Sequence, residues 1–93
     1  MGLSDVSNIS KVKANFAKYR GNDNAILKVS TKAGKKFMVI YDGKTTHFGD
    51  INYADFTKHQ DEGKRKSYLA RSGGIKDSGK WSANSLARAL LWQ

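Results

Sequence analysis

The sequence has no cysteine, few acidic residues and no long apolar run, and each of these scarcities excludes a class of site or protein. Without cysteine the chain has no disulfide framework, no zinc site built on thiolates and no cysteine nucleophile. No apolar run approaches the roughly 18 residues that a membrane-spanning helix needs. The first residues also lack the apolar segment of a secretory signal peptide, so we expect a protein that is not secreted and has no membrane partner.

The scarcity of acidic residues leaves a large positive charge. Eight Asp and Glu stand against 17 Lys and Arg, which gives a net charge of +9 over 93 residues, and 13 of the basic residues are lysine. Lysine-dominated charge suits contact with a diffuse anionic surface such as a phosphate backbone, whereas readout of bases by bidentate hydrogen bonds favours arginine. The composition therefore predicts a polyanionic partner; the alternative is a solvated surface that keeps a small protein soluble.

Length and hydrophobic content favour one folded domain over residues 1–93, and its strongest local signal is a β-hairpin. The apolar run Phe37–Tyr41 has the length of a strand, and the Asp42-Gly43 pair behind it favours a two-residue turn with positive φ. We predict three strands joined as an antiparallel meander: Ala25–Thr31, Lys36–Tyr41 and Lys44–Phe48, the last ended by Gly49-Asp50.

Apolar residues at helical spacing, together with capping residues, predict helices on both sides of the meander. The predicted elements are a helix over Ile9–Arg20 capped by Asp5, Ser7 or Asn8, a helical turn carrying Tyr53 and Phe56, a helix from Asp61 to about Arg71, and a helix over Ala83–Trp92 capped by Ser82. The expected core contacts after Asp61 are Tyr68, Leu69 and Ile75, and a polar loop follows as far as Lys80. The fold class is therefore α+β: an N-terminal helix, a three-stranded antiparallel β-meander and two C-terminal helices.

The histidines are candidates for catalysis or metal binding. His47 and His59 are the only two, and Asp50, Asp55 and Asp61 lie near them in the sequence. A small metal-dependent phosphodiester-cleaving enzyme would need these groups to converge. The spacing of His47 and Asp50 is not that of a helical metal pair, however, and Asp55 and Asp61 are well placed as helix caps. We therefore predict no catalytic residue, no metal ligand and no cofactor.

Basic residues in and after the hairpin form the candidate nucleic-acid-binding set: Lys32, Lys35, Lys36, Lys44, Lys58, Lys64, Arg65, Lys66 and Arg71. If the hairpin tip and the basic helix share a face, they make one cationic surface suited to phosphates. Tyr41, His47, Phe48 and Tyr53 could stack on exposed bases, but a chain this small needs most of its aromatic residues in its core.

A spaced set of motifs runs through the second half of the chain. Its positions are Phe48-Gly49, Tyr53–Thr57, His59, Asp61, Lys64–Lys66, Tyr68, Arg71 and Arg88–Trp92. This pattern resembles a family of small basic proteins encoded by large DNA viruses of algae and amoebae, although Ser-Gly-Gly follows Arg71 here where the family has His-Lys. Because that family is functionally uncharacterised, the resemblance implies a viral origin, a place in the virion or the host-cell interior, and either a packaged nucleic-acid-associated role or a minor capsid role.

The leading functional hypothesis is a non-enzymatic basic viral protein that binds DNA or another polyanion through a lysine-rich surface without sequence readout. The alternative is a structural virion protein, lodged between capsid subunits through the helix that carries Trp92 and through the hairpin edge.

Overall fold

The computed structural model describes residues 3–73 and 79–93, and it shows the α+β fold class predicted from the sequence. In chain order, a short 3-10 helix over Leu3–Asp5 precedes α1 (Ile9–Arg20), β1 (Ile26–Val29), β2 (Lys35–Tyr41), β3 (Lys44–Asp50), α2 (Phe56–His59), α3 (Glu62–Gly73) and α4 (Ala83–Leu86), which continues as a π-helical stretch over Ala87–Leu91. The expected core contact Ile75 and most of the predicted polar loop lie outside the described residues. Within the described ranges, no helix combines the length and the apolar character needed to cross a membrane.

The three strands form one antiparallel sheet in the order β1-β2-β3, which is the predicted meander. The hairpin between β2 and β3 turns at Asp42 and Gly43, where φ is +51° and +77° respectively. Positive φ at both central residues is the geometry of a type I′ turn, whose twist matches that of the flanking strands. The turn signal in the sequence is therefore confirmed, and Tyr41 pairs with Lys44 across the turn.

Two strands end at residues other than those predicted. β1 covers only Ile26–Val29, which is shorter than predicted. β3 continues to Asp50, which pairs with Lys35, whereas the sequence suggested that Gly49 ends the strand. Gly49 adopts a φ of +82° inside the strand, a conformation that glycine reaches without steric cost. The strand therefore continues through Gly49 to Asp50.

The core lies between the sheet and the helices from the two ends of the chain. Phe37, Val39 and Phe48 on the sheet are each exposed by 2% or less. The helical residues that join them in one buried cluster are Val12, Phe16, Leu86, Ala87, Leu90 and Leu91. The N-terminal and C-terminal helices therefore both depend on the meander, and the meander depends on both of them for its cover.

Side chains at three helix starts cap the backbone as the sequence predicted. Asn8, Asp61 and Ser82 each accept a hydrogen bond from the backbone N–H three residues later, at 3.2 Å in every case. Such a bond satisfies one of the N–H groups that a helix start leaves without an intrahelical partner. The predicted bounds of α1 are confirmed, with Asn8 as its cap.

The C-terminal segment is not the uniform α-helix that was predicted over Ala83–Trp92. The Trp92 N–H donates to the Ala87 carbonyl oxygen, five residues back, at 3.2 Å, as in a π-helix. Side chains of Asn15 and Arg65 each donate, at 2.9 Å, to a carbonyl oxygen in the last turn. These donors lie 75 and 27 residues from their acceptors in the sequence, so helical periodicity does not reveal them.

We expect Gly49→Ala to lower the free energy of unfolding by about 3 kcal/mol, through strain at positive φ and overpacking. A Cβ atom at Gly49 would lie 2.8 Å from Leu91 Cδ1 and 3.1 Å from Lys36 Cβ, and both side chains are buried. Gly34→Ala is the matched control, because Gly34 has a similar φ of +84° but no described atom within 4 Å of its Cβ position. Urea denaturation checks the difference; equal losses in the two variants would contradict the steric argument.

Candidate functional site

Among the residues that the structure describes, the lysines lie on the surface with one exception. Twelve of the 13 fall within the described residues, and eleven of these are exposed. In that part of the chain one exposed lysine, Lys80, pairs with a carboxylate, that of Asp23 at 2.9 Å. Ten exposed ammonium groups therefore have no carboxylate partner among the described residues, which favours attraction of an anionic polymer.

Lys36 is the exception, and its predicted place in the nucleic-acid-binding set is wrong. Its side chain is 2% exposed, and its Nζ lies 2.9 Å from Oδ2 of Asp55, which is 1% exposed. The ammonium group also donates to the Val6 carbonyl oxygen at 3.3 Å. Both charges are withdrawn from water and satisfied inside the protein, so Lys36 presents no free charge to a ligand.

Asp55 is the centre of a buried network that comprises Val6, Ser7, Lys36, Asp55 and Thr57. The hydroxyls of Ser7 and Thr57 both donate to the Asp55 carboxylate, and the Asp55 backbone N–H donates to the Val6 carbonyl oxygen at 3.0 Å. Asp55 occupies the N-cap position of α2 but makes no side-chain capping bond, so its predicted role as a cap is wrong. Its carboxylate instead joins the segment before α1 to β2 and α2.

Arg65 also serves the fold. Its Nε donates to the Trp92 carbonyl oxygen at 2.9 Å, and its guanidinium lies over the Phe56 ring, 5.3 Å from the ring centroid. A carboxylate oxygen of Glu62 lies 3.3 Å from its Nη1. Since this half-buried side chain joins α3 to α2 and to the C-terminal end, we assign it a structural role in place of the predicted phosphate contact.

The other predicted basic residues are divided between the two ends of the sheet. Lys32 lies in the β1–β2 turn and Lys35 at the start of β2, whereas Lys44 lies beside the β2–β3 turn. The length of β2 separates these ends by roughly 20 Å. Lys44 borders a hollow that also contains Trp81 and is distinct from the one that α3 lines. The hairpin tip and α3 therefore do not form the single cationic surface that the sequence suggested.

A cleft of about 900 Å³ opens between the Lys35 end of the sheet, α3 and the C-terminal helical segment. Its basic rim consists of Lys35, Lys64 and Arg71, all exposed, and Asp50 is the exposed carboxylate beside them. The structure thus brings three exposed members of the predicted set together at one site, which the buried Lys36 also lines. The exposed members of the set outside the cleft lining are Lys32, Lys44, Lys58 and Lys66.

Aromatic rings line the α3 side of the cleft. Trp92 stacks on Tyr68, with ring centroids 4.4 Å apart and an angle of 10° between the planes, and the His59 ring centroid lies 5.4 Å from that of Trp92. Burial raises the pKa of the Tyr68 phenol, and the positive charges of Arg88 and Arg71 oppose that rise. The half-buried Trp92 is therefore held within the fold by its contact with the Tyr68 ring. The Tyr68 phenol remains uncharged at neutral pH, because its pKa is raised.

Of the four residues weighed as base-stacking groups, Tyr53 is the exposed one, at 69%. It lines the cleft and makes no ring contact with another described residue. Phe48 is buried in the core, Tyr41 is stacked within the fold, and the half-buried His47 has its Nδ1 at 2.7 Å from the Ser30 hydroxyl. We expected most of these aromatic residues to serve the fold, and three of the four do; Tyr53 is the exception.

The histidines and their neighbouring carboxylates have separate roles. The His59 Nδ1 accepts a hydrogen bond from the Asp61 backbone N–H at 2.9 Å, while the Asp61 carboxylate caps α3 and Asp55 belongs to the buried network. Across residues 3–73 and 79–93, no group of three or more His, Asp or Glu side chains could hold a metal ion. The convergence that a metal-dependent phosphodiesterase needs is therefore not seen in this part of the chain.

Comparison with known proteins places the chain in one family. Residues 25–72 match a family of unknown function (DUF5754), and because the match covers just over half of the chain, the chain belongs to that family. The matched segment contains the sheet, α2, nearly all of α3 and the whole basic rim. It excludes α1 and the Arg88–Trp92 motif. No curated protein and no solved structure matched the chain.

We expect Lys36→Met to lower the free energy of unfolding by about 3–5 kcal/mol, because it leaves the Asp55 carboxylate buried without a counter-ion. Lys35→Met is the matched control: this neighbouring lysine is exposed, and its loss should cost less than about 0.5 kcal/mol. Removing both charges in Lys36→Met/Asp55→Asn should cost less than the two single losses added together. Denaturant titration of the variants measures these energies. A Lys36→Met variant as stable as Lys35→Met would show that the Lys36–Asp55 ion pair does not contribute to the free energy of unfolding.

Proposed function

We propose that this member of an uncharacterised family is a non-enzymatic basic viral protein that binds DNA or another polyanion without reading its sequence. The observation that supports the proposal is the set of ten exposed lysines with no carboxylate partner among the described residues. Each lysine that contacts a phosphate releases a condensed counter-ion, which favours binding at low salt whatever the base sequence. The viral part of the proposal is supported by the motif resemblance in the second half of the chain.

The arginines support binding without sequence readout, because readout relies on guanidinium groups that reach base edges. Arg20, Arg65 and Arg88 are half-buried, and each donates to a backbone carbonyl oxygen of the protein itself. Arg71 is the exposed one of the four. The surface therefore offers a nucleic acid mainly lysine charge, which suits phosphates.

A structural role in the virion is the second candidate, and one feature favours it. β1 is an edge strand whose Ile26 and Val29 side chains are 50% and 58% exposed, and a strand from a neighbouring subunit could extend such an edge. Of the two anchors suggested by the sequence, Trp92 stacks on Tyr68 within the fold, and the free edge of the hairpin is β3. Tight binding to a capsid protein at high salt, without affinity for nucleic acid, would favour this role over the first.

We expect the affinity for a duplex of about 20 base pairs to fall as salt rises, with a log–log slope of about −5 if five or six lysines contact phosphates. Two duplexes of equal length and unrelated sequence should bind equally well, because backbone phosphates are the same in both. Fluorescence anisotropy of labelled duplexes between about 50 and 200 mM salt measures both quantities.

Heparin, a polyanion without bases, is the control for this measurement and should displace the duplex. Absence of binding to the duplex, to heparin and to a single strand at the lowest salt would overturn the proposal. So would a strong preference for one of the two sequences, since that requires contacts to base edges.

A further inference from the structure

We infer that the cleft beside α3 is a binding site for single-stranded nucleic acid, with phosphates on the basic rim and bases against the aromatic and apolar groups below it. The inference rests on the proposed function and narrows it to one site and one class of polyanion. Its support is the positive charge of the rim, the exposed ring of Tyr53, and the apolar lining and size of the cleft.

The rim carries the charge that a phosphate backbone needs. Among the described residues that line the cleft, its three cations stand beside one exposed carboxylate, that of Asp50. Asp55, the other aspartate of the cleft lining, is buried and paired with Lys36 at 2.9 Å, so its negative charge is compensated within the protein. Because field lines concentrate in a concave site with apolar walls, this surplus acts more strongly on an anion in the cleft than the same charges would on a flat surface.

Tyr53 supplies an aromatic ring that the fold leaves open. It is 69% exposed at the cleft, and no other described ring contacts it. The stacked pair of Tyr68 and Trp92 lines the same cleft. Aromatic side chains beside a basic groove are the combination that holds single strands, because every base has a face that can stack and no particular sequence is required.

The floor favours an unpaired strand over a duplex. Tyr53, Ala54 and Trp92 offer accessible apolar surface in the cleft lining, whereas Phe48, Ala87 and Leu91 belong to the buried core. Only an unpaired base can lay its face against the accessible groups, since paired and stacked bases in a duplex present their edges alone. A volume of about 900 Å³ is close to the upper end of the range for small organic ligands, so the cleft has room for a few bases but not for a double helix.

Two charge-matched variants test the site. Lys35→Gln/Lys64→Gln/Arg71→Gln removes the basic rim, and Lys11→Gln/Lys13→Gln/Lys28→Gln removes three exposed lysines elsewhere, so both lower the net charge by the same amount. We expect the rim variant to bind a labelled single strand of about 12 nucleotides at least tenfold more weakly than the control variant does. Circular dichroism checks that both variants fold.

Substitutions at Tyr53 test the stacking contact separately from charge. Tyr53→Leu should weaken binding of the single strand by about 5- to 100-fold and leave the affinity for a duplex unchanged, whereas Tyr53→Phe should keep wild-type affinity. The side chain is largely exposed, so neither change disturbs the core. DNA and RNA strands of the same sequence are compared in parallel; tight binding of either supports the inference, and their ratio identifies the preferred sugar.

The outcomes of these experiments distinguish binding of single strands in the cleft from the more general proposal of polyanion binding. If the wild-type protein binds neither single strands nor duplexes nor heparin, both fail. If it binds both, the two triple variants are weakened equally and Tyr53→Leu has no effect, then diffuse polyanion binding stands and the cleft inference is overturned. A preference for duplex over single strand of equal charge would also overturn it.

Discussion

A lysine–aspartate ion pair that is withdrawn from water joins three segments of the fold. Transfer of an ammonium and a carboxylate from water costs several kcal/mol per ion, and their attraction offsets this cost only where the remaining hydrogen-bonding groups are satisfied. For Lys36 and Asp55 these groups come from Val6 and Ser7, on the segment before α1, and from Thr57, two residues after Asp55. Hydrophobic contacts have no direction, whereas these bonds do. The buried network therefore specifies how the segment before α1, the start of β2 and α2 meet.

The same network decides which charges are available to a partner. It uses Lys36 inside the protein and compensates the Asp55 carboxylate, which would otherwise oppose the basic rim. Arg65 and Arg88 are likewise engaged with carbonyl oxygens of the fold. Lysines and arginines that count equally toward the net charge thus fall into two groups. Some contact other parts of the fold, whereas others face solvent, and only the second group is available to bind an anionic partner.

Local patterns predicted the local structure well. The bounds of α1, the turn at Asp42-Gly43 and the caps of three helices follow from residues within a few positions of one another. Lys36 was misassigned because it follows Lys35 at a turn and because its carboxylate partner lies 19 residues away. The cleft was missed for the same reason: its lining comes from strands, α3 and the C-terminal segment, and no local spacing brings these together. Tyr53 was weighed as a stacking group, but its exposure depends on packing that a single sequence does not show.

The helices that cover the sheet come from outside the segment that matches the family. The shared segment, residues 25–72, holds all three strands but neither the helix that carries Val12 and Phe16 nor the one that carries Leu90 and Leu91. Cut at these limits, the polypeptide would expose the apolar face of its sheet to water and lose the Ser7 hydroxyl above the ion pair. We therefore expect that the shared segment does not fold stably by itself. A relative that has only this segment in common needs other residues, from its own chain or from a partner, to shield the same strands.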